Sequence, residues 1–257
     1  MTKRYGGIDL SGQRILVTGA AQGIGHGLAQ TFADWGADVA LADLDQVKVD
    51  AASHTAAVHA QGRILGLEMN VTDESSVAAA FDRVCLEWDC IDLLVNSAGV
   101  LSVANVAEMP LSEWSRIMNV NATGVFLASR AMVQRLQAAR RPGSIVSLAS
   151  IAGKRGDPGL AHYSASKFAV VGFTQALARE VGLHDITVNA ICPGVVKTGM
   201  IETLEKSTEM SSDAWVSKQA INRPQTPADI AFAAAFLHLS RAITGQSINV
   251  DGGSVFN

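Results

Sequence analysis

The sequence has little sulfur, little charge and few aromatic rings. Three cysteines occur among 257 residues, Cys85, Cys90 and Cys192, and no two of them have the two-residue spacing of a zinc or redox pair. An odd, unpatterned set excludes a disulfide framework and reads as free thiols in a reducing, cytoplasmic setting. Charged residues make up only 17%, with 20 Lys plus Arg against 24 Asp plus Glu and a formal net charge of −4. Without a Lys/Arg block, that balance excludes a nucleic-acid binder and a polybasic membrane anchor. No run of about 20 uncharged apolar residues is present, so no membrane-spanning helix is expected. Lys3 and Arg4 near the start are not followed by an apolar stretch, so Met1–Leu10 is not read as a secretory signal. The six histidines form no cluster with ligand spacing, and no metal is expected. No Pro/Ser-rich linker, short-period repeat or low-complexity tract divides the chain.

What is present is apolar. Hydrophobic residues reach 48%, enough for a large core and far from the composition of a disordered chain. Short apolar runs alternate with longer amphipathic ones. Strands are expected at Arg14–Thr18, Asp38–Ala42, Ile64–Met69, Ile91–Asn96, Ser144–Leu148, Thr187–Ile191 and Ser247–Val250. Helical patterns between them include Gly25–Trp35, Ser75–Glu87, Ser112–Ala139, Ser164–Val181 and Pro227–Leu239. This alternation predicts an α/β chain, a single domain with a doubly wound parallel sheet of about seven strands and helices on both faces. Runs such as Ile15-Leu16-Val17 and Leu93-Leu94-Val95 are apolar throughout, as strands buried on both sides are. The least regular stretch, with Met200 and Met210, is read as a substrate lid at about 195–224.

After the first strand comes Thr18-Gly19-Ala20-Ala21-Gln22-Gly23-Ile24-Gly25, opening a helix. Glycines there permit a tight turn and close approach of backbone to a diphosphate, which the positive helix end then attracts. The spacing is Gly-x-x-x-Gly-x-Gly rather than the commoner Gly-x-Gly-x-x-Gly. Asp43 ends the second strand eighteen residues after Gly25 and can accept hydrogen bonds from ribose hydroxyls. Its carboxylate would repel a 2′-phosphate, Leu44 follows instead of Arg, and Gln22 stands where a basic residue would be needed. These three features favour NAD over NADP. The alternative is that Asp43 merely caps the next helix.

Tyr163 and Lys167 are four residues apart and share a helix face. An ammonium near a phenol is expected to lower the phenol pKa from about 10, suiting it to exchange a proton with an alcohol. Ser150 lies just beyond a parallel strand's carboxyl end, where open α/β sheets bind ligands. His162 adjoins Tyr163 but faces another way on a helix, and is read either as a residue behind the site, supporting its neighbours, or as one at the rim of the substrate pocket.

In order and spacing, these stretches resemble the short-chain dehydrogenase/reductase family, in its subgroup of about 250 residues. Further support comes from Asn96-Ser97-Ala98-Gly99, Asn121-Ala122-Thr123-Gly124, Pro193-Gly194 with Thr198, and Asp251-Gly252-Gly253. Ser150 stands thirteen residues before Tyr163. The resemblance implies a Rossmann-type fold and an NAD-dependent enzyme interconverting a secondary alcohol and a ketone. Tyr163 would be the general acid/base, Lys167 its modulator and a ligand of the nicotinamide ribose, Ser150 the group orienting substrate oxygen, and Asn121 the holder of a water leading to Lys167. Gly19, Gln22, Gly23, Ile24, Gly25, Asp43 and Leu44 would contact the cofactor. So would Asn70 and Val71 at the adenine, Asn96, Ala98 and Gly99 at the adenosine ribose, and Pro193, Gly194, Val196 and Thr198 at the carboxamide. Two departures stand out: Ser97 replaces a frequent second Asn, which puts one structural hydrogen bond in doubt, and Asn70 replaces a frequent Asp, though its amide oxygen can still accept from adenine.

Gly156–Tyr163, Ser166–Val170 and Cys192–Thr198 look most like family members acting on acetoin/2,3-butanediol or sugar alcohols. The expected substrate is therefore a small polyol, vicinal diol or hydroxyketone. Competing readings are an NADPH-dependent 3-oxoacyl carrier-protein reductase and a non-catalytic NAD(H) sensor. The family resemblance also implies a homotetramer, a dimer of dimers paired through the two long helices.

Overall fold

The computed structural model describes residues 7–208 and 211–256. Seven strands form one parallel sheet: β1 (Arg14–Thr18), β2 (Asp38–Asp43), β3 (Ile64–Glu68), β4 (Leu93–Asn96), β5 (Gly143–Leu148), β6 (Ile186–Pro193) and β7 (Ser247–Val250). Their order is β3-β2-β1-β4-β5-β6-β7. The chain moves outward from β1 through β2 to β3, then returns to β4 and proceeds the other way. That reversal opens a crevice beyond the carboxyl ends of β1 and β4, the place where such sheets bind ligands.

Helices α1 (Gly23–Asp34), α2 (Gln46–Ala57), α3 (Glu74–Trp88), α4 (Leu111–Met118), α5 (Gly124–Ala139), α6 (Ala161–Val181), α7 (Gly199–Thr208), α8 (Ser212–Val216) and α9 (Pro227–Leu239) surround the sheet. The continuous apolar strands work as expected. Ile15 and Val17 join one buried cluster with α1, α2 and α9, while Leu16 between them joins the opposite cluster with α3, α5 and α6. The fold is therefore a single α/β domain with helices on both faces, as the alternating pattern predicts.

One expectation is corrected. Ser112–Ala139 is not one helix: a π-helical turn, Asn119–Thr123, separates α4 from α5. Its Gly124 flank packs so closely on Val71 that a Cβ there would lie 2.8 Å from Val71 Cγ2. The stretch read as a lid contains the short helices α7 and α8; Met210 lies outside the described residues.

One core residue makes stability depend on pH. His238, near the end of α9, is 6% exposed, and its Nε2 is 2.9 Å from Gln13 Oε1. Gln13 Oε1 accepts only, so Nε2 carries the proton and Nδ1 is left without a partner. Burial pushes this imidazole down to about 4; Asp92 opposes the shift and Arg241 adds to it. The folded state therefore favours the neutral ring, and its contribution is present above about pH 6.5 and is lost as pH falls toward 4. Stability is expected to drop by up to about 3 kcal/mol across that window. Urea midpoints measured between pH 7 and 4 check this, and His238→Leu should flatten the slope.

Candidate active site

The crevice begins with the glycine turn. Gly19 has φ +64°, and a Cβ there would lie 2.6 Å from Ala98 Cα. A Cβ at Gly25 would meet the Gly19 carbonyl oxygen at 2.3 Å. Only bare backbone fits between β1, β4 and α1. Gln22 makes no side-chain cap to α1, and the first turn carries no acid. The leading N–H groups and the positive helix end thus lack a side-chain partner, a fit for the diphosphate of a dinucleotide. Thr198 Cβ would be 3.9 Å from a Cβ at Gly23, so the segment after β6 closes over the turn. Ile24 packs instead against the core cluster beneath.

Asp43 Oδ2 accepts from Ala21 N–H at 2.9 Å, and Oδ1 accepts from Leu44 N–H at 2.8 Å. It does not cap α2; Asp45 does, accepting from Lys48 N–H. The carboxylate thus stands against the glycine turn, with a lone pair left on each oxygen. The side chain of Leu44 is exposed beside it, and the Lys48 ammonium is paired with Asp45 at 3.0 Å.

One cofactor contact expected from a side chain, at Asn70, is corrected. The Asn96 amide turns into the core, donating to Ser129 Oγ and Ser147 Oγ, both at 3.1 Å, so only its backbone can face the crevice. The Asn70 amide oxygen already accepts from Thr72 N–H at 3.0 Å and Thr72 O–H at 2.8 Å, which leaves no ready acceptor for an adenine amino group. Val71 is buried. The Ser97 departure is harmless to the loop: Thr18 Oγ1 accepts from both Ser97 N–H and Ala98 N–H at 3.1 Å, anchoring the turn that leads to Gly99. On the far side, Gly194 N–H bonds Val250 O at 3.1 Å, tying the Pro193-Gly194 bend to β7, and Val196 is buried beside Gln225.

Ser150, Tyr163, Lys167 and Asn121 converge at the centre of the crevice. Ser150 caps the short helical turn Ile151–Gly153, accepting from Ala152 N–H at 3.1 Å. Its own proton is thereby free for the Tyr163 phenol, with which it is hydrogen-bonded. Lys167 Nζ lies 5.7 Å from the Tyr163 ring centroid and donates to Leu148 O at 2.8 Å. Both side chains are buried. Burial decides their titration, contrary to the expectation of a lowered phenol. It pushes Tyr163 up, with the Ser150 hydrogen bond only partly opposing, and it pulls Lys167 down to about 8. Asn121 is held in the π-helical turn with no exposure. Its Oδ1 accepts from Val100 N–H at 2.8 Å, while Nδ2 donates to Val100 O at 2.9 Å and Ser166 Oγ at 3.0 Å. The amide thus serves the loop after β4, not Lys167 directly.

Apolar side chains form the wall. Leu160, Ala152 and the Tyr163 ring pack with Leu101, Val103 and Leu204 of α7. Of the two places expected for His162, behind the site or at its rim, the structure gives the first: it has no exposure, and Nε2 is 2.8 Å from Ser102 Oγ. Ser102, Glu113 and Ser166 carried no signal in the sequence, since their meeting depends on three separate elements.

This geometry has relatives. A family profile described as Enoyl-(Acyl carrier protein) reductase matches residues 19–255. A short-chain type dehydrogenase/reductase from Mycobacterium marinum superposes with TM-score 0.90 at 33% identity, covering 97% of this chain and 98% of its own. The chain belongs to the short-chain dehydrogenase/reductase family. This short-chain dehydrogenase/reductase is an oxidoreductase acting on CH–OH groups. It is similar to an L-2,3-butanediol dehydrogenase of Corynebacterium glutamicum, 35% identical over 253 residues, 94% of this chain and 98% of the relative. It is also similar to a 3-oxoacyl-[acyl-carrier-protein] reductase of Chlamydia muridarum, 33% identical over 240 residues, 93% and 95% of the two chains. Among the described residues no helix is long and apolar enough to cross a membrane, and no group of three or more His, Cys, Asp or Glu could hold a metal.

Proposed function

We propose that this enzyme interconverts a small secondary alcohol and its ketone with NAD(H). The substrate class is a vicinal diol, hydroxyketone or small polyol. The observation that carries the cofactor reading is the Asp43 carboxylate at the end of β2, held against the glycine turn by Ala21 N–H at 2.9 Å. A 2′-phosphate would bring two negative charges together there. When bound, the nicotinamide supplies or accepts the hydride. The glycine turn and the α1 terminus hold the diphosphate, and Pro193, Gly194, Val196 and Thr198 hold the nicotinamide end. Tyr163 Oη takes the alcohol proton or returns it. When substrate binds, Ser150 turns its one O–H from the Tyr163 phenol to the substrate oxygen, while Ala152 N–H holds the hydroxyl in place. Lys167, charged below about pH 8, places a cation beside the phenol. Asn121 fixes the loop that borders them. The apolar wall, with Leu204 from the α7 lid, suits an alkyl-bearing diol or hydroxyketone.

The second reading, 3-oxoacyl thioester reduction with NADPH, is favoured by relatives bearing that name. NADH absorbance separates the two. Purified enzyme is supplied with diols, hydroxyketones, sugar alcohols and 3-oxoacyl thioesters, with NAD(H) and NADP(H) in parallel. Turnover of a diol or hydroxyketone with NAD(H) is expected. Activity confined to NADPH and thioesters would replace this reading with the second one. Silence across the panel with NAD still bound would leave a non-catalytic sensor.

We also propose a homotetramer. Phe126 on α5 and Phe168 on α6 are exposed on one side, and Phe232 and Phe236 of α9 on another. Two separate aromatic faces suit a dimer of dimers. Light scattering should give four times 26.9 kDa, and a monomer would refute it.

A further inference from the structure

The loop after β4 is pinned at alternate residues. Val100 is held through both its N–H and its C=O by the Asn121 amide. Ser102 Oγ is bonded to Glu113 Oε1 and lies 2.8 Å from His162 Nε2. Ala104 N–H donates to Gly159 O at 2.9 Å. The intervening Leu101 and Val103 turn the other way and pack against Leu160 and the Tyr163 ring. A Cβ added at Gly159 would stand 2.9 Å from Val103 Cγ1, so the contact is close.

The protons in the middle pin have one consistent arrangement. Arg116 donates to both oxygens of Glu113, Nε to Oε2 at 2.8 Å and Nη2 to Oε1 at 2.7 Å. Glu113 is therefore an ionised acceptor, held down to about 2 by Arg116 first and Ser102 second. Ser102 must donate its only proton to Glu113, which leaves its lone pair to accept from His162 Nε2–H. His162 is then neutral with a bare Nδ1, and that atom is buried without a partner. Burial favours this neutral ring. The pin joins α4, the loop and the first turn of α6, the turn that carries Tyr163.

We propose that His162, Ser102 and Glu113 are positioning residues that set the register of residues 100–104. They thereby determine how Leu101 and Val103 wall the pocket for the substrate's alkyl group. This rests on the alcohol–ketone reading above. None of the three touches the reacting atoms, so their effect falls on substrate binding and leaves the chemical step alone.

Ser102→Ala and His162→Phe break the pin, while His162→Gln keeps an N–H donor toward Ser102. In both broken variants KM for the best diol or hydroxyketone should rise about tenfold, the weight of one buried hydrogen bond. kcat and the NADH dissociation constant should stay within about twofold, and His162→Gln should restore most of the KM. The double variant Ser102→Ala/His162→Phe should be no worse than either single one. An unchanged KM, a fall in kcat alone, or no rescue by Gln would overturn the proposal. Hydrogen exchange tests the pin independently of any substrate. Ser102→Ala should lose protection at residues 100–104 while β4 and α5 keep theirs. If wild type turns over no alcohol in the panel, the functional reading fails on its own, and unchanged exchange at 100–104 would then refute the pin separately.

Discussion

Replacing Tyr163 with Phe is expected to lower turnover by about three orders of magnitude and to leave NADH binding within about twofold. The substitution removes one oxygen and keeps the ring, so the apolar wall with Leu160, Leu101 and Val103 stays packed. What disappears is the group that exchanges the substrate's proton. Ser150 keeps its place, because Ala152 N–H holds it independently of the phenol. Stopped-flow turnover alongside NADH fluorescence titration separates the two effects. A variant within tenfold of wild type would remove Tyr163 from the acid/base role. The pH dependence follows the same logic. Alcohol oxidation needs the deprotonated Tyr163–Lys167 pair to accept a proton, so its rate should rise with pH; carbonyl reduction needs the protonated pair and should fall. Burial pushes the Tyr163 phenol up and pulls Lys167 down to about 8, and the rate profile reports on both groups.

Asp43→Asn should change cofactor preference more than any other single substitution at the adenosine end. Asparagine keeps an oxygen to accept from Ala21 N–H, so the glycine turn stays anchored while the charge is lost. Two unit charges about 5 Å apart repel by about 3 kcal/mol at an effective dielectric constant near 20, and the partial exposure of Asp43 lowers this through screening. NAD is expected to weaken about tenfold through weaker bonds to the ribose hydroxyls, and NADP to gain by a similar factor. The NAD-to-NADP ratio of kcat/KM should therefore fall by about a hundredfold. An unchanged ratio would place the discrimination elsewhere and strengthen the NADPH-dependent thioester reading.

Much of the site was legible because it follows from local rules. The glycine spacing, the acid at the second strand's end, and Tyr163 four residues before Lys167 each encode a geometry within one turn or one helix face. The parallel sheet was equally legible: an uninterrupted apolar run such as Ile15-Leu16-Val17 must be covered on both sides, and the two core clusters cover it. The errors share a different cause. Asn70 stands where an adenine contact is expected, but an amide's direction depends on competing partners, and Thr72 supplies them. The phenol pKa was misjudged because charge proximity reads off spacing, whereas burial does not.

The amino-acid order by itself determined the fold class and the glycine turn, since these arise from periodicity and from contacts between near neighbours; that Asn121 and Ser150 join Tyr163 and Lys167 at the centre was implied by the family resemblance. Only the tertiary structure decided the π-helical turn at Asn119–Thr123, the desolvation of Tyr163 and Lys167, and the Glu113–Ser102–His162 chain. Each of these depends on segments far apart in sequence being packed together with water excluded. In that setting a buried polar group takes whichever partner the packing offers, and no local pattern records which one that is.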